Sequence, residues 1–148
     1  MMQFEINPHI GIGPVKLGMS REEVKAALGA KNHSHSEGEL DYYFENAFQI
    51  EFVDNKADFI GVSDEPDYTV TYEGVNVFDT QAKKLFEIIN ANEDQPQTFD
   101  GYECLFLNQI ITLWDADEQY DRMGAESRKV WAQIGVGSKN YLQAVLSL

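Results

Sequence analysis

A chain of 148 residues that is 43% apolar and 12% aromatic can bury one core of ordinary domain size, which excludes disorder throughout. Its formal net charge of −14 repels nucleic-acid phosphates and anionic lipid headgroups, and so excludes nucleic acid and membrane as partners. The same field attracts a basic protein.

In chain order, the first segment, QFEI, alternates apolar and polar residues as a strand does. The N-terminal MMQFEINPHI has no basic region followed by an apolar run, and no stretch approaches the roughly 20 apolar residues of a membrane span. A cytoplasmic protein is expected. From Gly11 to Gly29 the sequence reads GIGPVKLGMSREEVKAALG. Gly13 and Gly18 have the spacing of a phosphate-binding loop, but Met19 stands where the lysine belongs and Pro14 removes a backbone donor. The stretch Gly11-Ile12-Gly13 lacks the third glycine of a dinucleotide site. These glycines therefore predict turns. Ser20 and Glu23 have the spacing of a capping box, Val24, Ala27 and Leu28 share a helical face, and Gly29 supplies a left-handed stop.

Next, His33-Ser34-His35, with Glu37 and Glu39 nearby, offers two imidazoles but no complete ligand set, and reads as an exposed loop. No metal or other cofactor is expected. The run LDYYFENAFQIEFVDNKADFIGVS predicts three antiparallel strands turning near Asn46-Ala47 and Asp54-Asn55. In the middle strand Phe48, Ile50 and Phe52 alternate with Gln49, Glu51 and Val53, so one face is core and the other semi-polar.

The second half begins with the strand YTVTY and a helix capped by Asp79 or Thr80. Ala82, Leu85, Ile88 and Ile89 form its apolar face, and it fades at Asn90-Ala91-Asn92. Strands follow in YECLFLNQIITLWDAD and KVWAQIGVGS, separated by an inserted acidic loop. Cys104, the single cysteine, lies in an apolar run, which predicts a buried, unreactive thiol. The tail NYLQAVLSL predicts a closing helix with Tyr141, Leu142, Val145 and Leu146 on one side.

Sliding the chain against itself at an offset of about 61 residues puts Gly13 on Gly74, Val24 on Leu85, Ile50 on Ile111 and Phe52 on Leu113. Beyond the insertion, Ile60-Gly61-Val62 matches Ile134-Gly135-Val136. The expected fold is α+β: a tandem duplication of a helix plus an antiparallel three- to four-stranded sheet, with the helices on one face. It forms one compact domain, 1–148, of two repeats spanning about 1–66 and 67–148.

No arrangement of residues marks a catalytic site. Asp115-Ala116-Asp117 begins a calcium loop that fails at Gln119 and Tyr120, and no nucleophile elbow is present. The remaining enzymatic alternative is a hydrolase using the acidic loop near Asp115–Asp121. The more informative pattern is a sheet face turned away from the helices, carrying Tyr43, Glu45, Glu51, Phe59, Ile110, Thr112, Trp114 and Gln133. Rigid aromatics among carboxylates suit recognition of a basic protein. The alternative is a homodimer in which this face pairs with itself.

The motif G-P-V-K-L-G-M-S-x-x-x-V-x-x-x-L-G, from Gly13 to Gly29, resembles the helix-opening motif of small outer-membrane assembly lipoproteins of the BamE/SmpA type. The internal repeat is similar to that of the β-lactamase inhibitor protein, a duplicated helix-plus-sheet unit. The chain departs from the lipoproteins in having no lipobox cysteine near its N-terminus. The resemblance implies the fold and a sheet face that binds protein. The leading expectation is a non-enzymatic, acidic binding module, in its concrete form a bacterial immunity or inhibitor protein that neutralises a basic toxin or enzyme.

Overall fold

The computed structural model describes residues 2–120 and 127–148, without the side chains of 117–120 and 127–128. In chain order the elements are β1 (Met2–Asn7), β2 (Gly11–Ile12), β3 (Val15–Lys16), α1 (Arg21–Leu28), β4 (His33–Glu37), β5 (Leu40–Tyr43), β6 (Phe48–Val53) and β7 (Lys56–Val62). Then come β8 (Tyr68–Tyr72), β9 (Val75–Asn76), α2 (Ala82–Asn90), β10 (Glu103–Phe106), β11 (Ile111–Tyr120), β12 (Ser127–Gly137) and α3 (Lys139–Leu146).

The strands form two sheets. The larger runs β10-β11-β12-β7-β6-β5-β4 with every neighbouring pair antiparallel. The smaller runs β3-β2-β1-β8-β9, with β1 and β8 parallel. The core lies between the sheets. Phe4 of β1 stacks on Tyr68 of β8 at 4.9 Å, and both meet the Phe48 ring of β6 edge-on, at 5.7 and 6.2 Å.

Two helices pack on this inner face of the large sheet. The predicted capping box forms on α1: Ser20 Oγ accepts from the Glu23 N–H and Glu23 Oε1 from the Ser20 N–H. Val24 and Leu28 then enter the core. Arg21 lies over the Phe52 ring, donates to the Gly38 carbonyl and faces the buried Asp41 carboxylate at 3.6 Å. On α2, Ala82, Leu85, Phe86 and Ile89 are buried, and the Trp131 indole N–H of β12 donates to the Ala82 carbonyl at 2.9 Å.

The expected tandem unit is not what the chain builds. Strand makes up 44% of it and helix 23%, and strands from the two halves are merged within both sheets. β1 lies beside β8 in the small sheet, and β7 beside β12 in the large one. Nor do the helices share one face, because α3 packs on the outer face through Tyr141 on Phe59. Matched apolar phases record where each segment is buried, but they do not say which strand becomes its neighbour.

Local expectations also change. His33-Ser34-His35 belongs to edge strand β4, where the His35 ring stacks on Tyr42 at 4.4 Å. Neither Asp79 nor Thr80 caps α2. Asp79 ends a 3-10 turn, Val77–Asp79, in which the Asn76 side chain accepts from the Phe78 N–H, Thr80 follows it, and α2 begins at Ala82 without a side-chain cap. Residues Glu118–Tyr120, expected in the inserted loop, extend β11, which pairs with β12 as far as Tyr120↔Ser127.

Candidate protein-binding face

Antiparallel partners point to the same side of a sheet, so register fixes the composition of the outer face. Glu103, Trp114 and Gln133 form one cross-strand row. Leu105, Thr112, Gly135, Gly61 and Gln49 form the next, and Gly137, Phe59 and Glu51 a third. The glycines in these rows shape the surface. A methyl group added to Gly135 would run into the Phe59 ring and the Thr112 hydroxyl, and one on Gly137 into the Tyr141 ring. Both aromatic rings therefore lie directly on the backbone of β12.

Helix α3 is fastened at its start. Ser138 caps it by accepting from the Tyr141 N–H, and the Ser138 N–H and hydroxyl donate to the carbonyl and carboxylate of Asp58. Asn140 adds a 3.3 Å bond to the same carboxylate. Beyond this anchor the helix is loosely held: none of its residues is fully buried, and Leu146 is 62% exposed.

Between α3 and the β10–β11–β12 end of the sheet lies a groove of about 680 Å³. Its aromatic walls come from Phe59, Trp114 and Tyr141, with Leu105 and Val145 adding aliphatic surface. Asp100 and Glu103 supply carboxylates, and Gln97, Thr98, Thr112 and Gln133 supply neutral polar groups. Among the described residues that line it there is no lysine, arginine or histidine. Burial pushes the Tyr141 hydroxyl above its usual range, and the carboxylates of Glu51, Asp58 and Glu103 push it further. The Glu51 carboxyl is also raised, first by burial and then by Asp58 and Glu39. A negative potential thus converges on a half-buried aromatic surface.

The structure brings together only part of the face predicted from sequence. Phe59, Thr112, Trp114 and Gln133 line the groove, and Glu51 lies on the same face across Phe59. Three predicted members lie elsewhere. Tyr43 pairs with Phe48 and so points into the core, where burial pushes its hydroxyl up to about 12. Its oxygen has no hydrogen-bond partner among the described residues. Glu45 occupies the β5–β6 turn at φ 62°, exposed but off the sheet. Ile110 is buried in the turn before β11 at φ 54°, its N–H donating to the Phe106 carbonyl.

Tyr141, Glu103 and Asp100 were missed by the sequence reading. The available signal was Gly135-x-Gly137 in a strand, a spacing that opens one face to a large neighbouring side chain.

Other chemistry finds little support. Cys104 borders the groove, but burial and then Asp100 and Glu93 push its thiol up to about 12, so it is not a poised nucleophile. Among the described residues no group of three or more His, Cys, Asp or Glu could hold a metal ion. Of the proposed hydrolase loop, Asp121 lies outside the described residues, and Asp115 occupies a strand position with its N–H donating to the Tyr102 carbonyl. No helix among the described residues is long and apolar enough to cross a membrane. Comparison with protein-family models, curated proteins and solved structures gave no match.

Proposed function

We propose that this chain is a non-enzymatic, acidic binding module whose outer sheet face captures and occludes a basic protein. In its concrete form it is an immunity or inhibitor protein that neutralises a basic toxin or enzyme in the cytoplasm. The observation that supports this reading is the groove itself. Trp114 stands 53% exposed on a sheet beside two further aromatic rings, and the charged groups lining the groove are carboxylates. A large exposed ring gives rigid contact area, and the net charge of −14 accelerates encounter with a cationic partner. The likeness of Gly13–Gly29 to the assembly lipoproteins adds the idea of a sheet face that binds protein.

The test is co-expression with a neighbouring gene that encodes a large protein with a basic, toxic C-terminal domain. Rescue of growth together with direct binding is expected, and Trp114→Ala should weaken binding by more than ~2 kcal/mol. Rescue without binding, or no binding to the neighbour's product, rejects the reading.

Self-association is a second reading, favoured by the exposed Leu146 and Leu148 at and just beyond the end of α3. It brings two chains of charge −14 together, which opposes it. Sedimentation equilibrium separates the two, since a stable dimer that buries Trp114 leaves the groove closed to any partner.

A further inference from the structure

We infer that the groove between α3 and β10–β11–β12 is a side-chain site for arginine, filled by a basic segment of the partner. The inference rests on the binding reading above and gives it a chemistry. A guanidinium is flat, weakly hydrated and permanently charged, so it stacks on aromatic faces while its N–H groups pair with a carboxylate. The groove provides both elements, with Trp114 and Tyr141 as rings and Glu103 and Asp100 as acids.

Glu103 is directly opposite Trp114 across the β10–β11 ladder, so a carboxylate and an exposed indole ring share one row. Asp100 is held in place by its own turn, its carboxylate accepting from the N–H groups of Tyr102 and Glu103 at 2.8 and 3.2 Å. The neutral wall formed by Thr112 and Gln133 adds no competing cation. Lysine fits less well, because its compact ammonium is strongly hydrated and cannot lie flat against a ring. Anionic ligands meet only acids here. A second copy would bring more negative charge to an already negative face.

The test uses tetra-arginine amide as probe, titrated into the full chain and followed by two-dimensional amide NMR. Tetralysine and tetracitrulline serve as charge and shape controls. The largest shifts should fall on Glu103, the Trp114 indole N–H, Gln133 and Tyr141. Tetra-arginine should bind at least ~3-fold more tightly than tetralysine, and tetracitrulline should not bind. Trp114→Ala and Glu103→Gln should each weaken binding by ~5-fold or more. Glu87→Gln, on the exposed side of α2, should leave it unchanged.

Shifts scattered over the acidic surface, equal binding of tetracitrulline, or equal losses from Glu87→Gln and Glu103→Gln would each overturn the inference. If Trp114→Ala disturbs the fold, as loss of amide dispersion would reveal, Glu103→Gln alone decides. A partner that is weakened by Trp114→Ala but binds the Glu103→Gln variant at full affinity overturns the arginine site and leaves the broader binding reading standing. Tetra-arginine seated in the groove of a chain that neutralises no basic protein does the reverse.

Discussion

Phe59 of β7 and Tyr141 of α3 stack with ring centroids 4.7 Å apart and planes inclined by 26°. This pair joins the closing helix to the outer face of a sheet whose other side already holds the core. Aromatic pairs of this kind contribute about 0.5–1.5 kcal/mol beyond the area they bury. Tyr141→Ala should therefore release α3 without unfolding the body of the chain. Global stability measured in urea should fall by about 1–3 kcal/mol, the pair contribution together with the lost burial of the ring. Amide exchange should accelerate selectively in Tyr141–Leu146, and uniform acceleration across β6 and β7 would contradict the assignment.

Gly135 makes the stack possible by leaving space for the Phe59 ring above β12. Its backbone is not in the left-handed region, so the need for glycine here is steric. Gly135→Ala should cost about 1–3 kcal/mol as overpacking, and Phe59→Leu in the same chain should recover part of that loss. Purely additive losses in a double-mutant cycle would mean that the two positions do not compete for space.

Ser20 gives a cleaner measurement, because both halves of its capping box are formed. Ser20→Ala should lower stability by about 1 kcal/mol through an unsatisfied N–H at the start of α1. Urea denaturation at constant m-value checks it. Ser20→Asp should restore most of the loss, since aspartate also accepts at the N-cap.

What was legible in the sequence was local. The Ser20–Glu23 spacing, the alternation of Phe48, Ile50 and Phe52, and the YTVTY strand are each fixed by neighbours within a few residues. Pairing across the chain is set by long-range packing, and there the reading failed. Nothing local places β1 parallel to β8 or puts α3 on the opposite face from α1 and α2. The site fared the same way. Thr112, Trp114 and Gln133 follow from period-2 alternation once β11 and β12 are recognised. Tyr43 fails because alternation alone does not say which phase is core, and its pairing with the buried Phe48 decides that. Ile110 fails because its strand begins one residue later, after a turn with positive φ.

Cys104 tests the electrostatics of the groove without any partner. With its thiol pushed up to about 12, almost none is thiolate at pH 8. Alkylation by iodoacetamide in the folded chain should be more than ~100-fold slower than in urea, where the thiol returns to its ordinary range. The folded-state rate should still be rising between pH 9 and 10. A plateau below pH 9 would show that burial and the neighbouring Asp100 and Glu93 do not act on this thiol as described.

Glu51 links the acidic outer face to pH-dependent stability. Its carboxyl is raised in the fold by burial, with Asp58 and Glu39 adding repulsion, whereas in the unfolded chain it titrates near ~4.3. Between the unfolded and folded values the folded state binds more proton than the unfolded state, so this group makes stability decrease as pH rises through that window. Above it the full penalty of a half-buried, repelled carboxylate is present, and below ~4.3 the penalty is absent because both states are protonated. Glu51→Gln removes the charge while keeping the shape, and should raise the urea midpoint at pH 7 with little change at pH 4. Equal gains at the two pH values would trace the effect to packing. A loss at pH 7 would show that the Glu51 carboxylate is stabilising where it sits, against the direction inferred from its neighbours.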